Sequence, residues 1–176
     1  MAGTLTVQNL QGPSTGANAN KIIIPSGQTL DASAGFVPPA GAVIQIKQST
    51  LNNGFTTSVV ANFASVATGL SVSITPSSTS SKVFVSTSWN HQHVGSTNEG
   101  TTWHIARNGS ALSPTSYIEY SITSTNWHNT VTAQYLDSPA TTSSVTYEVY
   151  MGNYSGGNAY MRNWGANVIT AWEIAG

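Results

Sequence analysis

Charge is what this chain has least of. Only 6% of its 176 residues are charged, five basic against six acidic, where roughly a quarter is usual. A nucleic-acid partner needs a basic patch that displaces counterions from phosphates, and five cations spread from Lys21 to Arg162 cannot build one. Cysteine is absent, which excludes disulfides, thiolate metal centres and thiol catalysis together. No apolar run approaches the ~20 residues that span a bilayer, so membrane insertion is not expected. The start MAGTLTVQNL has neither the basic opening nor the apolar stretch of a secretory signal, and synthesis in the cytosol is expected. A cysteine-free chain is indifferent to redox state, which suits a protein assembled inside a cell and working outside it.

Helical periodicity is missing too. No window carries apolar residues at i, i+3, i+4 and i+7 over three turns. What is there is alternation with a period of two, bounded by clusters of Gly, Pro, Asn and Ser. AVIQIKQ (42–48), GLSVSIT (69–75), SKVFVSTSWNHQHV (81–94), TTWHIARN (101–108), SYIEYSIT (116–123), NWHNTVTAQYL (126–136), SVTYEVYMGNY (144–154), NAYMRN (158–163) and ANVITAWEIA (166–175) read as strands. Asn108-Gly109 suits a tight turn, Asp137-Ser138-Pro139 a turn start, and Gly156-Gly157 the closure of a hairpin. With five Trp and seven Tyr to fill a core, the expected class is all-β, an antiparallel sandwich or barrel. Val168, Thr170, Trp172 and Ile174 share one face of the last strand, so Trp172 is expected in the core.

Residues 1–41 differ. They hold two short apolar bursts, Leu5 to Leu10 and Ile22 to Ile24, among Gly, Ser and Asn, and Pro38-Pro39 before Gly41 marks a boundary. Such a segment cannot bury enough apolar surface alone to offset its ordering entropy. It is either a flexible tail or a segment that orders against copies of itself or a larger assembly. Three consecutive isoleucines favour the second.

The pieces GTLTVQNLQGPSTGANANKIIIPSGQTLD, PPAGAVIQIKQST, GLSVSITPSSTSSKVFV, LDSPATTSSVTYEV and WEIAG, in this order, resemble virion fibre proteins of tailed bacteriophages, above all those of phages infecting aquatic bacteria, including cyanobacteria. The resemblance implies a homotrimer located in the virion. An extended N-terminal segment, residues 1–41, would dock on other virion proteins or intertwine about the threefold axis, burying Ile22, Ile23 and Ile24 against their copies. Residues 42–176 would form a jelly-roll head. The implied function is a tail-fibre or fibre-tip component meeting the host surface, often its glycans. The alternatives are a capsid-bound decoration or head-fibre protein held by its N-terminus, and a free carbohydrate-binding module.

Several residues are candidates for chemistry. His91 and His93 in WNHQHV follow Val83, Val85 and Trp89 on one strand face. They read first as polar residues capping that face at its rim, hydrogen-bonded to neighbours. The second reading is a transition-metal pair; three copies about an axis would supply six imidazoles, and phage fibres with His-X-His pairs hold an axial iron. Catalysis lacks material: the acids Asp31, Glu99, Glu119, Asp137, Glu148 and Glu173 are scattered rather than paired, and Asp137 reads as a turn residue. No enzyme is expected. Binding is better supplied. Trp103, Trp127 and Trp164, with His104 and His128, lie near segment ends, and NYSGGNAYMRNW (153–164) offers Tyr154, Tyr160, Arg162 and Trp164 as candidate ligand contacts. The bland reading of these aromatics is core or interface. The sequons at Asn108 and Asn153 read as chance in an Asn- and Ser-rich chain.

Overall fold

The structure is a computed structural model; it describes residues 12–17, 19, 21–29, 37–60, 66–112 and 125–176, with the backbone of 117–121. The chain divides into two compact units, residues 1–37 and 38–176. In the first, Gln28 N donates to Pro25 O at 3.0 Å, and Gly27 takes the positive φ of 82° that this turn requires. Ile22, Ile23 and Ile24 are exposed on the isolated chain. The apolar burst from Leu5 to Leu10 and Asp31 lie outside the described residues.

The elements of the second unit are all strands: β1 (Val43–Leu51), β2 (Phe55–Thr57), β3 (Val66–Ile74), β4 (Lys82–Val94), β5 (Glu99–Arg107), β6 (Ser110–Ala111), β7 (Tyr117–Ser121), β8 (Asn126–Asp137), β9 (Val145–Asn153), β10 (Asn158–Arg162) and β11 (Asn167–Ile174). The nine strands read from alternation are among them; β2 and β6 are too short for a period of two to register. Among the described residues no helix is long and apolar enough to cross a membrane.

The pairing defines the architecture. β4 is bonded to β8 along one edge, and along the other to β11 and β10, which lie end to end. β1 continues the sheet beyond β11, and β2 beyond β10. The second sheet runs β3-β9-β5, with β7 and β6 end to end on the far edge of β5. Take the eight principal strands, β1, β3, β4, β5, β7, β8, β9 and β11. The first pairs with the last, the second with the seventh, the third with the sixth and the fourth with the fifth. All of these pairs are antiparallel. That is a hairpin rolled upon itself, the jelly roll of two Greek keys.

Alternation explains the core. Val83, Val85, Thr87, Trp89, His91 and His93 of β4 point inward and are all buried, and Val145, Tyr147, Val149 and Met151 of β9 answer them from the other sheet. Trp103 meets Trp89 edge-on across the interior, centroids 5.0 Å apart at 84°. Burying each large side chain of this kind contributes about 1.5–3 kcal/mol.

Three expectations are corrected. Trp172 faces outward: its partner on β4 is Phe84, on the strand's outer face, and Ile169 and Ala171 fill the core instead. The inward row of β11 ends on Glu173, and a slip of one residue exchanges the two faces of a strand. Asp137 is no turn residue. It ends β8, buried, where Arg107 Nη1 of the opposite sheet donates to both its oxygens at 3.0 and 2.8 Å and Tyr147 Oη donates at 2.7 Å. Burial first, then Asp137, pushes the Tyr147 phenol far above its ordinary range. Gly156-Gly157 closes no hairpin, because β9 and β10 belong to different sheets. Asn108-Gly109 does, with φ of 49° and 81°.

Glu173 has no exposed surface. Burial alone would raise its pKa, but donors prevail: Ser77 N and Oγ and Gln45 Nε2, each at 2.6 Å, and Ser81 Oγ at 2.7 Å hold the carboxyl below its usual range. Glu173→Gln replaces one acceptor oxygen with a donor facing these donors. It should lower stability by roughly 1–3 kcal/mol, measured as a shift in the urea midpoint with an unchanged slope.

Candidate functional site

The long strand β4 carries both groups of interest, one on each face. On the inner face, at its C-terminal end, sit His91 and His93, neither with any exposed surface. His91 Nε2 is 2.9 Å from Thr101 Oγ1 and its Nδ1 is 3.1 Å from Asn129 Oδ1. His93 Nδ1 reaches the same Thr101 hydroxyl at 3.1 Å, and its ring stacks on Trp127, centroids 4.4 Å apart. These are rim histidines bonded to neighbours. The axial-metal alternative needs imidazoles that reach a second copy, and both rings are fully buried on the isolated chain. Among the described residues no group of three or more His, Asp or Glu could hold a metal ion.

His93 Nε2 has no hydrogen-bond partner. Glu99 Oε2 lies 3.8 Å away, beyond hydrogen-bonding range, and acts on it as a charge. Glycine backbone closes the space around the pair: a Cβ on Gly157, which holds a φ of 74°, would sit 2.7 Å from His93 Nε2. Burial, then the neighbouring His91, depress the His93 pKa below 6.5, with Glu99 opposing. Burial lowers that of His104 likewise.

On the outer face the same end of the sheet carries an aromatic and polar platform. Tyr160 and Arg162 of β10 pair with Gln92 and Asn90 of β4, and His128 of β8 pairs with Gln92 from the other side. The Arg162 guanidinium lies over the Tyr160 ring at 3.9 Å and 5.7 Å from the Trp164 ring. Its Nε donates to Gln92 Oε1, and Gln92 Nε2 donates to Asn126 Oδ1 at 2.8 Å. Trp164 stands 59% exposed, with His128 edge-on to it at 5.4 Å. An exposed indole, a guanidinium lying over a neighbouring ring and an amide locked by two partners form a rigid surface. It can stack on an apolar ring face while its polar groups bond hydroxyls.

The structure thus brings three of the four candidate contacts together and separates the fourth. Tyr154 lies elsewhere, its N donating to Gly100 O at 2.8 Å. Trp103 is core. Asn153 is buried, its amide bonded to Thr57 O and Gly157 O, which leaves its sequon without a surface acceptor. Gln92 and Asn126 were not singled out from the sequence. The signal was present for Gln92, since alternation puts it opposite the two histidines in WNHQHV.

No protein-family model matches the chain, and no curated protein matches it. Among solved structures it is similar to the VP2 subviral particle of infectious bursal disease virus, at 12% identity and a TM-score of 0.42 over 75% of this chain and 33% of that one. A structure of the Gx strain of that virus gives 12% identity and a TM-score of 0.43 over 87% of this chain and 38% of that one. The chain therefore spans 33% of the length of the first and 38% of the second. The jelly-roll assignment stands on the strand pairing itself.

A depressed histidine pKa means that the unfolded chain binds the proton more readily. The stability that His93 and His104 contribute is therefore full above about pH 6.5 and lost as the pH falls through their folded values. Melting temperature should drop between pH 7 and pH 5, and the His93→Gln protein should lose less over the same interval.

Proposed function

We propose that this chain is a structural virion protein of a tailed phage, a homotrimeric tail-fibre or fibre-tip component whose head contacts neutral glycans on the host surface. The observation that carries this reading is the polarity of the head. The chain enters it through residues 38–42, where Gly41 N donates to Ala175 O and Ala175 N to Ala42 O, beside the start of β4. The platform of Tyr160, Arg162 and Trp164 lies toward the end of β4. Gln92 follows Phe84 by eight residues, about 26 Å along an extended strand. A chain entry at one end and an exposed aromatic surface toward the other is the arrangement a receptor-contacting head requires.

The composition agrees. With no basic patch and little charge of either sign, contact with a surface depends on stacking and hydrogen bonds, which suits uncharged sugars. The sequence resemblance to phage fibres supports the virion setting, and the role is binding and structural rather than catalytic.

On an array of neutral glycans the full-length protein should bind a defined subset. Trp164→Ala and Arg162→Ala should each weaken that binding at least tenfold, about 1.4 kcal/mol, while Tyr154→Ala leaves it unchanged. Absence of binding by the parent protein would reject the receptor role in favour of a capsid-bound decoration protein, whose head only projects. Deleting residues 1–37 spares the Gly41 and Ala42 bonds and should abolish incorporation into particles while the head still melts cooperatively. Particles that retain the truncated protein would reject the attachment role of that segment.

A further inference from the structure

The outer face of the six-stranded sheet has a second patch, at the end where the chain enters. Ile46 of β1 lies opposite Trp172 of β11, Trp172 opposite Phe84 of β4, and Phe84 opposite Leu136 of β8. These four side chains form one row across four strands, about 15 Å wide at the usual strand spacing. Ile46 is 56% and Leu136 51% exposed. Phe84 and Trp172 pack on each other, centroids 5.5 Å apart. Val43, 55% exposed, lies opposite Ile174, and the two extend the patch beside Ile46 and Trp172. None of the six is charged. The face thus carries a contiguous apolar row on a surface rich in hydroxyls and amides, and contiguous apolar patches mark contact surfaces.

We infer that this row packs against further copies of the same chain and forms the contact between heads in the oligomer. The inference rests on the trimer reading above and names the face that reading leaves open. Three observations select a copy of this chain as the occupant. First, the tether is short. The N-terminal unit ends at Val37, and the seven residues from there to Ile44 span at most about 25 Å. Copies joined through their N-terminal segments would have each head within that reach of the junction. Second, the row contains no charge, so it meets its own copies without like-charge repulsion. Its one side-chain hydrogen-bonding group is the Trp172 indole N–H, against the guanidinium and amides of the platform near the other end. Third, β1 is an edge strand with Lys47 exposed on it. A lysine there discourages strand-by-strand extension of the sheet, so the contact uses the face and not the edge.

The test is the mass of the full-length protein by light scattering over a dilution series. The parent should hold three times 18.4 kDa. The Ile46→Glu/Leu136→Glu protein should dissociate at a concentration at least tenfold higher. Thr132→Glu, exposed on the same face outside the row, should behave as the parent. A double variant with the parent's profile overturns the assignment of this face while leaving the trimer intact; a parent that is monomeric throughout overturns both. Because the chain has no native cysteine, a spin label on Leu136→Cys gives a second readout that does not depend on the double variant folding. Its motion should be restricted in the trimer and released on dilution. A label that stays mobile in an intact trimer overturns the inference, as does one restricted in a monomer, which would mean that the chain's own N-terminal segment covers the row.

Discussion

Everything in the head depends on the register of β4. It is thirteen residues long, the longest strand among the described residues, and it is bonded on both edges, to β8 on one side and to β11 and β10 on the other. Its period of two sends Val83 through His93 into the core and Phe84 through Gln92 to the outer surface. Each strand paired with it inherits that division. β8 presents Val131 and Ala133 inward because they oppose Trp89 and Thr87, and β11 turns Trp172 outward because it opposes Phe84. A slip of one residue along β4 would exchange core and surface across the whole sheet at once. The polar anchors at its two ends, Glu173 with its four donors and His91 with Thr101 and Asn129, penalise such a slip strongly, because it would strand buried polar groups without partners.

Much of this was legible in the sequence, and the parts that were not share a cause. Strand positions follow from alternation, and the Asn108-Gly109 hairpin follows from the need for two positive φ values. The inward direction of His91 and His93 was readable because their strand has a strong apolar face to extend. The last strand has two apolar faces: Val168, Trp172 and Ile174 on one, Ile169 and Ala171 on the other. Its own pattern cannot choose between them, and the register against β4 decides. Asp137 was misread for a related reason. Followed by Ser and Pro it has the local look of a turn, and only the approach of Arg107 and Tyr147 from the opposite sheet makes it a buried anchor.

The outer platform illustrates the same limit. Tyr160, Arg162 and Trp164 are close in sequence and were visible as a group. Gln92, Asn126 and His128 join them through cross-strand pairing between residues some thirty to seventy positions apart. The rigidity of the site comes from those distant partners. The nearby Tyr154, by contrast, is separated from the group by the crossing of the chain from one sheet to the other at Gly156-Gly157.

Four of the eleven charges of this protein are engaged with partners in or at the edge of the interior. Asp137 and Arg107 neutralise each other between the sheets, Glu173 is enclosed by hydroxyls and an amide, and Glu99 is turned toward His93. What remains outside is too sparse to project a field beyond its immediate surroundings. Encounter with any partner is then unsteered, governed by diffusion and the fraction of collisions that arrive well oriented. Its rate should scarcely register a change between fresh water and the sea.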